Sequence, residues 1–216
     1  MNRQGKITAM HCVYWGLALF PMILSLALYS RLPAEMVTHW GINNEPNGYS
    51  SKEFACFGIP AVLFLLTIIV NVAIKIDPKS ENINRSQEMK LLGRWFIVVV
   101  SNVTQGMILA LNLGHSINVG FWITLMVGIL FTLMGNYMPK CKFNYTMGIR
   151  TPWTLADEEI WVKTHRFGGR LWTICGVLLI LCGIFSLNVL FFLVIAAMAL
   201  VPIVYSYYLY HQKKNT

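Results

Sequence analysis

Two groups of residues in this 216-residue chain have the types and spacing needed for binding chemistry. The first lies in a turn-rich stretch that contains both aromatic rings and hydrogen-bond donors, which are typical anchors of a peptide-recognition surface. Its candidate recognition residues are His39, Trp40, Asn47, Gly48, Tyr49 and Lys52. The alternative is a structured loop that only rests on lipid headgroups.

Metal chemistry is not expected in this first group. His39 has Glu35 and Glu45 nearby, but no second histidine at a spacing that zinc sites use. The five cysteines contain no C-x-x-C pair and fall mainly in apolar stretches, where we interpret them as small packing residues. We therefore predict neither a metal site nor a cofactor.

The second group follows Pro139, which cannot continue a helix. Its candidate partner-binding residues are Asn136, Pro139, Asn144, Gly148, Arg150, Thr151, Pro152, Trp153, Thr154, Trp161, Thr164 and His165. A second interpretation is a buried polar cluster in which Asn136, Asn144, Arg150 and His165 satisfy one another's hydrogen bonds. The spacing pairs no nucleophile with a base, so we predict no catalytic residue and no enzyme.

The composition decides which elements must position these residues. Hydrophobic residues make up 56% of the chain and charged residues 12%, against about 25% charged in ordinary soluble domains. Lipid is the solvent that such a composition needs. The net charge of +8 comes from basic residues that flank apolar spans instead of forming a stripe with aromatics, so direct nucleic-acid binding is not expected.

Apolar runs long enough to cross a bilayer as helices recur six times. They predict an all-α polytopic membrane protein with spans at 7–29, 54–74, 92–113, 119–137, 171–187 and 190–210. With both termini in the cytoplasm, 15 of the 17 Lys and Arg residues fall on the cytoplasmic side. The first group then lies in a small extracellular cap and the second in a cytoplasmic loop.

Local sequence patterns predict secondary structure within the two loops. Asn47-Gly48 favours a type I′ turn beside a strand at 37–40. Thr154 with Asp157 reads as a capping box that starts an amphipathic cytoplasmic helix ahead of the fifth span.

The third span is unusually polar. Asn102, Gln105 and Asn112 are expected to face other helices. They either form interhelical hydrogen bonds or line a solute path. Since no Asp, Glu, Lys or Arg lies deep in a span, ion-coupled transport lacks its usual groups.

Two blocks of the sequence resemble the SdpI family of bacterial immunity proteins. The first is Leu32-Pro33, His39-Trp40-Gly41, Pro46-Asn47-Gly48-Tyr49 and Ser51-Lys52, which is similar to the small domain that commonly precedes the SdpI region. The second is more specific and runs from Gly135-Asn136 through Gly148-Ile149-Arg150-Thr151-Pro152-Trp153-Thr154-Leu155 to Thr164-His165-Arg166. One departure is Asn47, where many relatives are expected to carry Asp.

The resemblance implies a multi-pass protein of the bacterial plasma membrane that protects its producer from a secreted killing peptide, the sporulation-delaying toxin in the best-known case. It also implies a second role, in which the protein holds a cytoplasmic repressor at the membrane. We predict two parts, residues 1–75 with the cap and residues 76–216 as the SdpI-like region. The alternative function is transport of a small solute or a lipid.

Overall fold

A computed structural model describes the backbone of residues 3–215 and the side chains of residues 10–215. Six of its helices are long and apolar enough to cross a membrane, which confirms the predicted number of spans. These are α1 (Arg3–Leu28), α2 (Ile59–Ile76), α4 (Gln87–Asn112), α5 (Val119–Tyr137), α7 (Glu158–Phe185) and α8 (Asn188–Lys214); two short helices are α3 (Ser80–Arg85) and α6 (Pro152–Ala156). The orientation of the termini stays a prediction, and the Arg3 and Lys6 side chains used for it lie outside the described residues.

The fifth membrane helix begins earlier than its sequence predicts. The amphipathic segment and the fifth span, predicted as two elements, form one continuous helix of 28 residues, α7. Gly168 and Gly169 do not interrupt it, because both are buried against neighbouring segments where a Cβ would clash. Tertiary packing therefore overrides the weak helix propensity of glycine.

The predicted cap is a β-hairpin. Strands β1 (Glu35–Trp40) and β2 (Pro46–Ser51) pair antiparallel, with Val37 opposite Tyr49 and His39 opposite Gly48. A π-helix, Phe54–Gly58, leads from the hairpin into α2.

Packing divides the chain into two compact units. The first holds the chain up to Asn71 together with Arg94–Val119, and the second holds Val72–Gly93 and the chain from Gly120 onwards. Thus α4 contributes to both. The predicted division at residues 75 and 76 stays a prediction, since the packing units describe contacts and not sequence families.

In the second unit, α5 and α7 approach each other through glycines spaced seven residues apart. A Cβ added at Gly128 would lie 2.8 Å from the Gly176 carbonyl oxygen, and one at Gly135 would lie 2.7 Å from that of Gly169. Gly183 continues the row beside Thr124. The two helices are antiparallel and their backbones are in direct contact, which is how small residues promote packing in membranes.

Candidate functional site

The hairpin turn differs from its prediction. The chain reverses at residues 41–45, where the Gly41 N–H donates to the Glu45 carbonyl at 2.8 Å and Asn44 takes a left-handed φ of 62°. Asn47 and Gly48 lie inside β2, so the predicted Asn47-Gly48 turn is wrong. Gly48 is needed for another reason: a Cβ there would approach the His39 Cβ to 2.8 Å.

Asn112, at the end of α4, holds the hairpin against the helices of the first unit. Its side chain accepts from the Val37 N–H at 2.9 Å and donates to the Val37 carbonyl at 3.0 Å. One amide thus pairs with both backbone groups at the outer edge of β1, as a neighbouring strand would. Below this contact, fully buried Met36 packs on Ala55 and Cys56.

The candidate residues of the hairpin are largely accessible. Tyr49 is 57% exposed, and His39 and Asn47 are exposed and joined by a 2.5 Å hydrogen bond between Nδ1 and Oδ1. Lys52 lies with its Nζ 4.4 Å from the centre of the Tyr29 ring. Trp40 is half-buried and packs against the cluster around Met36. The hairpin therefore presents an aromatic ring and several polar groups on a fixed base.

A carboxylate lies next to this surface. Tyr29 donates from its hydroxyl to Glu53 at 2.8 Å. Hydrogen bonds from the backbone and from Tyr29 lower the pKa of the Glu53 carboxyl. Glu53 is thus a stable anion beside the Lys52 ammonium.

The second group of candidates is centred on His165, which is fully buried. Its Nε2 accepts from the Ile149 N–H at 3.0 Å, and its Nδ1 lies 2.8 Å from the Trp161 carbonyl. A backbone N–H only donates and a carbonyl only accepts, so the ring carries its proton on Nδ1. The ring also stacks on Trp161 at 4.0 Å. Gly148 has a φ of 102°, and a Cβ there would lie 2.3 Å from Nε2.

The polar loop, which we define as residues 141–151, is folded around Asn144. This buried side chain donates to the Lys142 carbonyl at 2.8 Å, while its oxygen accepts from the N–H groups of Thr146 and Met147. Trp161 donates from its indole to the Cys141 carbonyl at 2.9 Å. Burial raises the pKa of the Cys141 thiol to about 11, so this cysteine is a packing group and not a nucleophile.

Asp77 fixes the polar loop from the end of α2, a role that sequence reasoning missed. Its carboxylate is buried and accepts from the Thr146 hydroxyl at 2.6 Å and from the Tyr145 and Lys79 N–H groups. Nearby, Asn82 donates to the Phe143 carbonyl at 2.9 Å. The available signal was a lone aspartate before Pro78, directly after an apolar span.

The predicted capping box is displaced by three residues. Thr151 caps α6, and it exchanges hydrogen bonds with Thr154. Asp157 instead caps α7, accepting from the Glu159 and Ile160 N–H groups. The box of Thr154 with Asp157 is therefore wrong, because a residue with extended backbone at 157 separates α6 from α7.

Two further contacts join the capping residues of α6 and α7 to α8. Thr151 shares a hydrogen bond of 3.1 Å with buried Ser206. Lys213 donates to Asp157 at 2.6 Å, and this contact and the helix N–H groups lower the pKa of the Asp157 carboxyl.

The mutual cluster of Asn136, Asn144, Arg150 and His165 does not form. Asn144 and His165 bond to backbone groups instead, and Arg150 donates to the Tyr145 carbonyl at 2.7 Å. Asn136 is exposed. The structure brings four of the candidates together: Asn144, Gly148, Trp161 and His165. Three candidate threonines are also buried: Thr151, Thr154 and Thr164. At the surface lie Pro139, Arg150 and Pro152, and Trp153 is half-buried.

The polar residues of α4 bond to backbone groups in the first unit. Asn102 donates to the Leu17 carbonyl at 2.9 Å, which Pro21 cannot pair because it has no N–H. Gln105 donates to the Ala55 carbonyl at 3.1 Å, beside the π-helix. Interhelical hydrogen bonding accounts for these contacts, and the solute path stays a prediction.

Most of the chain is similar in sequence to known proteins. Residues 140–206 match the SdpI/YfhL protein family, and residues 16–64 match a domain of unknown function, DUF1648. The chain is 29% identical to "Immunity protein SdpI" of Bacillus subtilis (strain 168) over 195 residues, covering 89% of this chain and 91% of that protein. No solved structure matches.

Proposed function

Because the chain belongs to the SdpI/YfhL protein family and is a multi-pass protein of the bacterial cell membrane, we propose that it is an immunity protein that protects its cell from a secreted killing peptide. The observation that carries this proposal is the similarity to Immunity protein SdpI, which extends over nearly the whole chain. It includes both groups of residues identified above.

We place peptide recognition at the hairpin. Tyr49 supplies an exposed ring, Lys52 supplies donors beside it, and the Nε2 of His39 supplies an acceptor, because the Nδ1 of His39 donates to Asn47. Anchoring by Asn112 and Met36 means that little backbone freedom is lost on binding, which favours affinity. The distribution of Lys and Arg along the chain supports an extracellular position for this hairpin.

The polar loop serves as the docking surface for a cytoplasmic repressor in this proposal. Internal hydrogen bonds to the side chains of Asn144, Asp77 and His165 give the loop its shape. Arg150 and Tyr145 are exposed on it, and Lys142 is exposed beside them. A partner with acidic groups complements this surface.

Immunity is tested by the survival of a toxin-sensitive bacterium that expresses this chain and is challenged with the sporulation-delaying peptide. Wild-type protein is expected to restore growth. Tyr49→Ala, Lys52→Ala and His39→Ala are expected to weaken protection while the protein stays in the membrane. Thr38→Ala is a matched control, because its hydroxyl bonds to Ser50 within the hairpin.

Repressor binding is tested separately by recovery of soluble proteins with membranes that contain Arg150→Ala. This change is expected to reduce recovery of the repressor and to leave toxin protection intact. Full protection by all three hairpin variants would contradict recognition at the hairpin, and no protection by the wild type would contradict immunity to this peptide.

A further inference from the structure

The middle of the first unit contains two buried polar atoms without a hydrogen-bonding partner among the described residues, Gln105 Oε1 and Ser101 Oγ. Their residues are 2% and 3% exposed. Residues four apart on a helix lie on one face, so both side chains are on the same face of α4. Since buried polar atoms are almost always paired with protein or with ordered water, this face needs a partner.

The orientation of the Gln105 amide follows from its other contacts. Its Nε2 donates to Ser25 Oγ at 2.8 Å and to the Ala55 carbonyl at 3.1 Å. Ser25 gives its own proton to the Pro21 carbonyl at 2.8 Å. A flipped amide would turn its oxygen towards two acceptors. Oε1 must therefore point away from both, and it requires a donor from elsewhere.

The backbone around these residues is irregular. Pro21 interrupts the hydrogen bonds of α1, and the turn at Phe54–Gly58 is a π-helix. At membrane depth, irregular backbone is found where it is buried in protein or faces water. Pi-helical turns are also frequent at functional sites. The two irregular segments and the two unpaired atoms belong to the same region of the unit.

We propose that this face of α4 binds a water molecule, which donates one hydrogen bond to Gln105 Oε1 and shares a second with Ser101 Oγ. The residues that surround the amide, Ser25 and Ala55, are uncharged, so an ion has no counter-charge there. Water is the smallest neutral molecule that both donates and accepts. Two polar partners are the lower end of the number that a buried water molecule has.

The hairpin covers this water site. Ile108 and Leu109 follow Gln105 by one turn on α4 and pack with fully buried Met36. Water bound at Gln105 is therefore separated from the hairpin surface by an apolar layer, and its exchange requires movement of that layer.

Magnetisation transfer from water to the Gln105 side-chain amide, measured by NMR on the full chain in lipid nanodiscs, tests the site. Wild-type protein is expected to show strong transfer at Gln105 and none at the methyl groups of Ile108. Ser101→Val fills the water position with methyl groups and is expected to reduce the Gln105 signal to the level of Ile108. Thr67→Val is the matched control, because Thr67 is equally buried but donates to the Leu63 carbonyl at 2.9 Å.

Absence of transfer in the wild type overturns the proposal, and so does an unchanged signal in folded Ser101→Val. If Ser101→Val does not fold, Ser101→Ala replaces it and is expected to weaken the transfer, and an unchanged signal again overturns the proposal. A shift of the Gln105 amide resonance in Ser101→Ala, with no water transfer in the wild type, would mean that Ser101 donates directly to Oε1.

Discussion

The hairpin and the polar loop use polar residues in opposite ways. In the hairpin, His39 and Tyr49 are exposed, and the Asn112 side chain bonds to the β1 edge. In the polar loop, Asn144 is buried and bonded to backbone groups, and buried His165 of α7 accepts from the Ile149 N–H of the loop. Residues of similar type are therefore accessible at the surface in one region and maintain backbone shape in the other.

The largest effect that separates the two regions is expected from Gly148→Ala. The new Cβ would collide with His165 Nε2 at a left-handed φ, so the variant is expected to lose about 3 kcal/mol or more of unfolding free energy. Gly114→Ala is the control, since Gly114 also has positive φ (91°) but has no atom within 4 Å of its Cβ position. Thermal unfolding in detergent measures both, and equal losses would show that backbone strain alone decides the outcome.

His165→Phe is expected to have the next largest effect. A phenyl ring retains stacking on Trp161 but leaves the buried Ile149 N–H without an acceptor, which costs about 1–3 kcal/mol. Chemical denaturation measures the loss. His39→Phe, on the exposed side of the hairpin, is expected to unfold like the wild type, and a comparable loss there would contradict the distinction between the regions.

Release of the hairpin is expected from Asn112→Leu. Loss of both bonds to Val37 is expected to raise the rate of maleimide labelling at Cys56, which lies beneath Met36, about tenfold. The measurement uses a chain in which the other cysteines are replaced by alanine. Asn112→Asp keeps the acceptor for the Val37 N–H, so Cys56 in this variant should be labelled at a rate between those of the wild type and Asn112→Leu. Equal labelling rates in the wild type and in Asn112→Leu would refute the anchoring role.

The smallest expected effect is the pH dependence at Asp157. The pKa of its carboxyl in the folded protein is lowered by Lys213 and the helix N–H groups. Its contribution to stability is therefore present when the pH is above the ordinary pKa of an aspartate, and it is lost as the pH falls through the pKa of the folded protein. The unfolding temperature of the wild type should therefore decline below about pH 4. Asp157→Asn, which retains a cap acceptor, should decline less, and parallel curves would assign the acid sensitivity to other groups.

The sequence predicted the number of spans and a strand at residues 37–40, because apolar length and β propensity are local signals. It did not predict the position of the turn, because asparagine also tolerates positive φ and Asn44 takes that conformation in the turn that forms. It also missed Asp77, whose partners in the polar loop are 68 and 69 residues away in the chain. Contacts of that range depend on packing, and no spacing within one segment encodes them.

The glycines spaced seven residues apart on α5 and α7 determine whether the second unit can tolerate changes in the length of these helices. A hydrophobic or small-residue repeat of seven imposes a left-handed supercoil on the helices that share it. One inserted residue between Gly128 and Gly135 would rotate the rest of the row by about 100° and place side chains where backbones now touch. Insertions are therefore expected to accumulate in the hairpin turn at residues 41–45, and α5 is expected to keep its length.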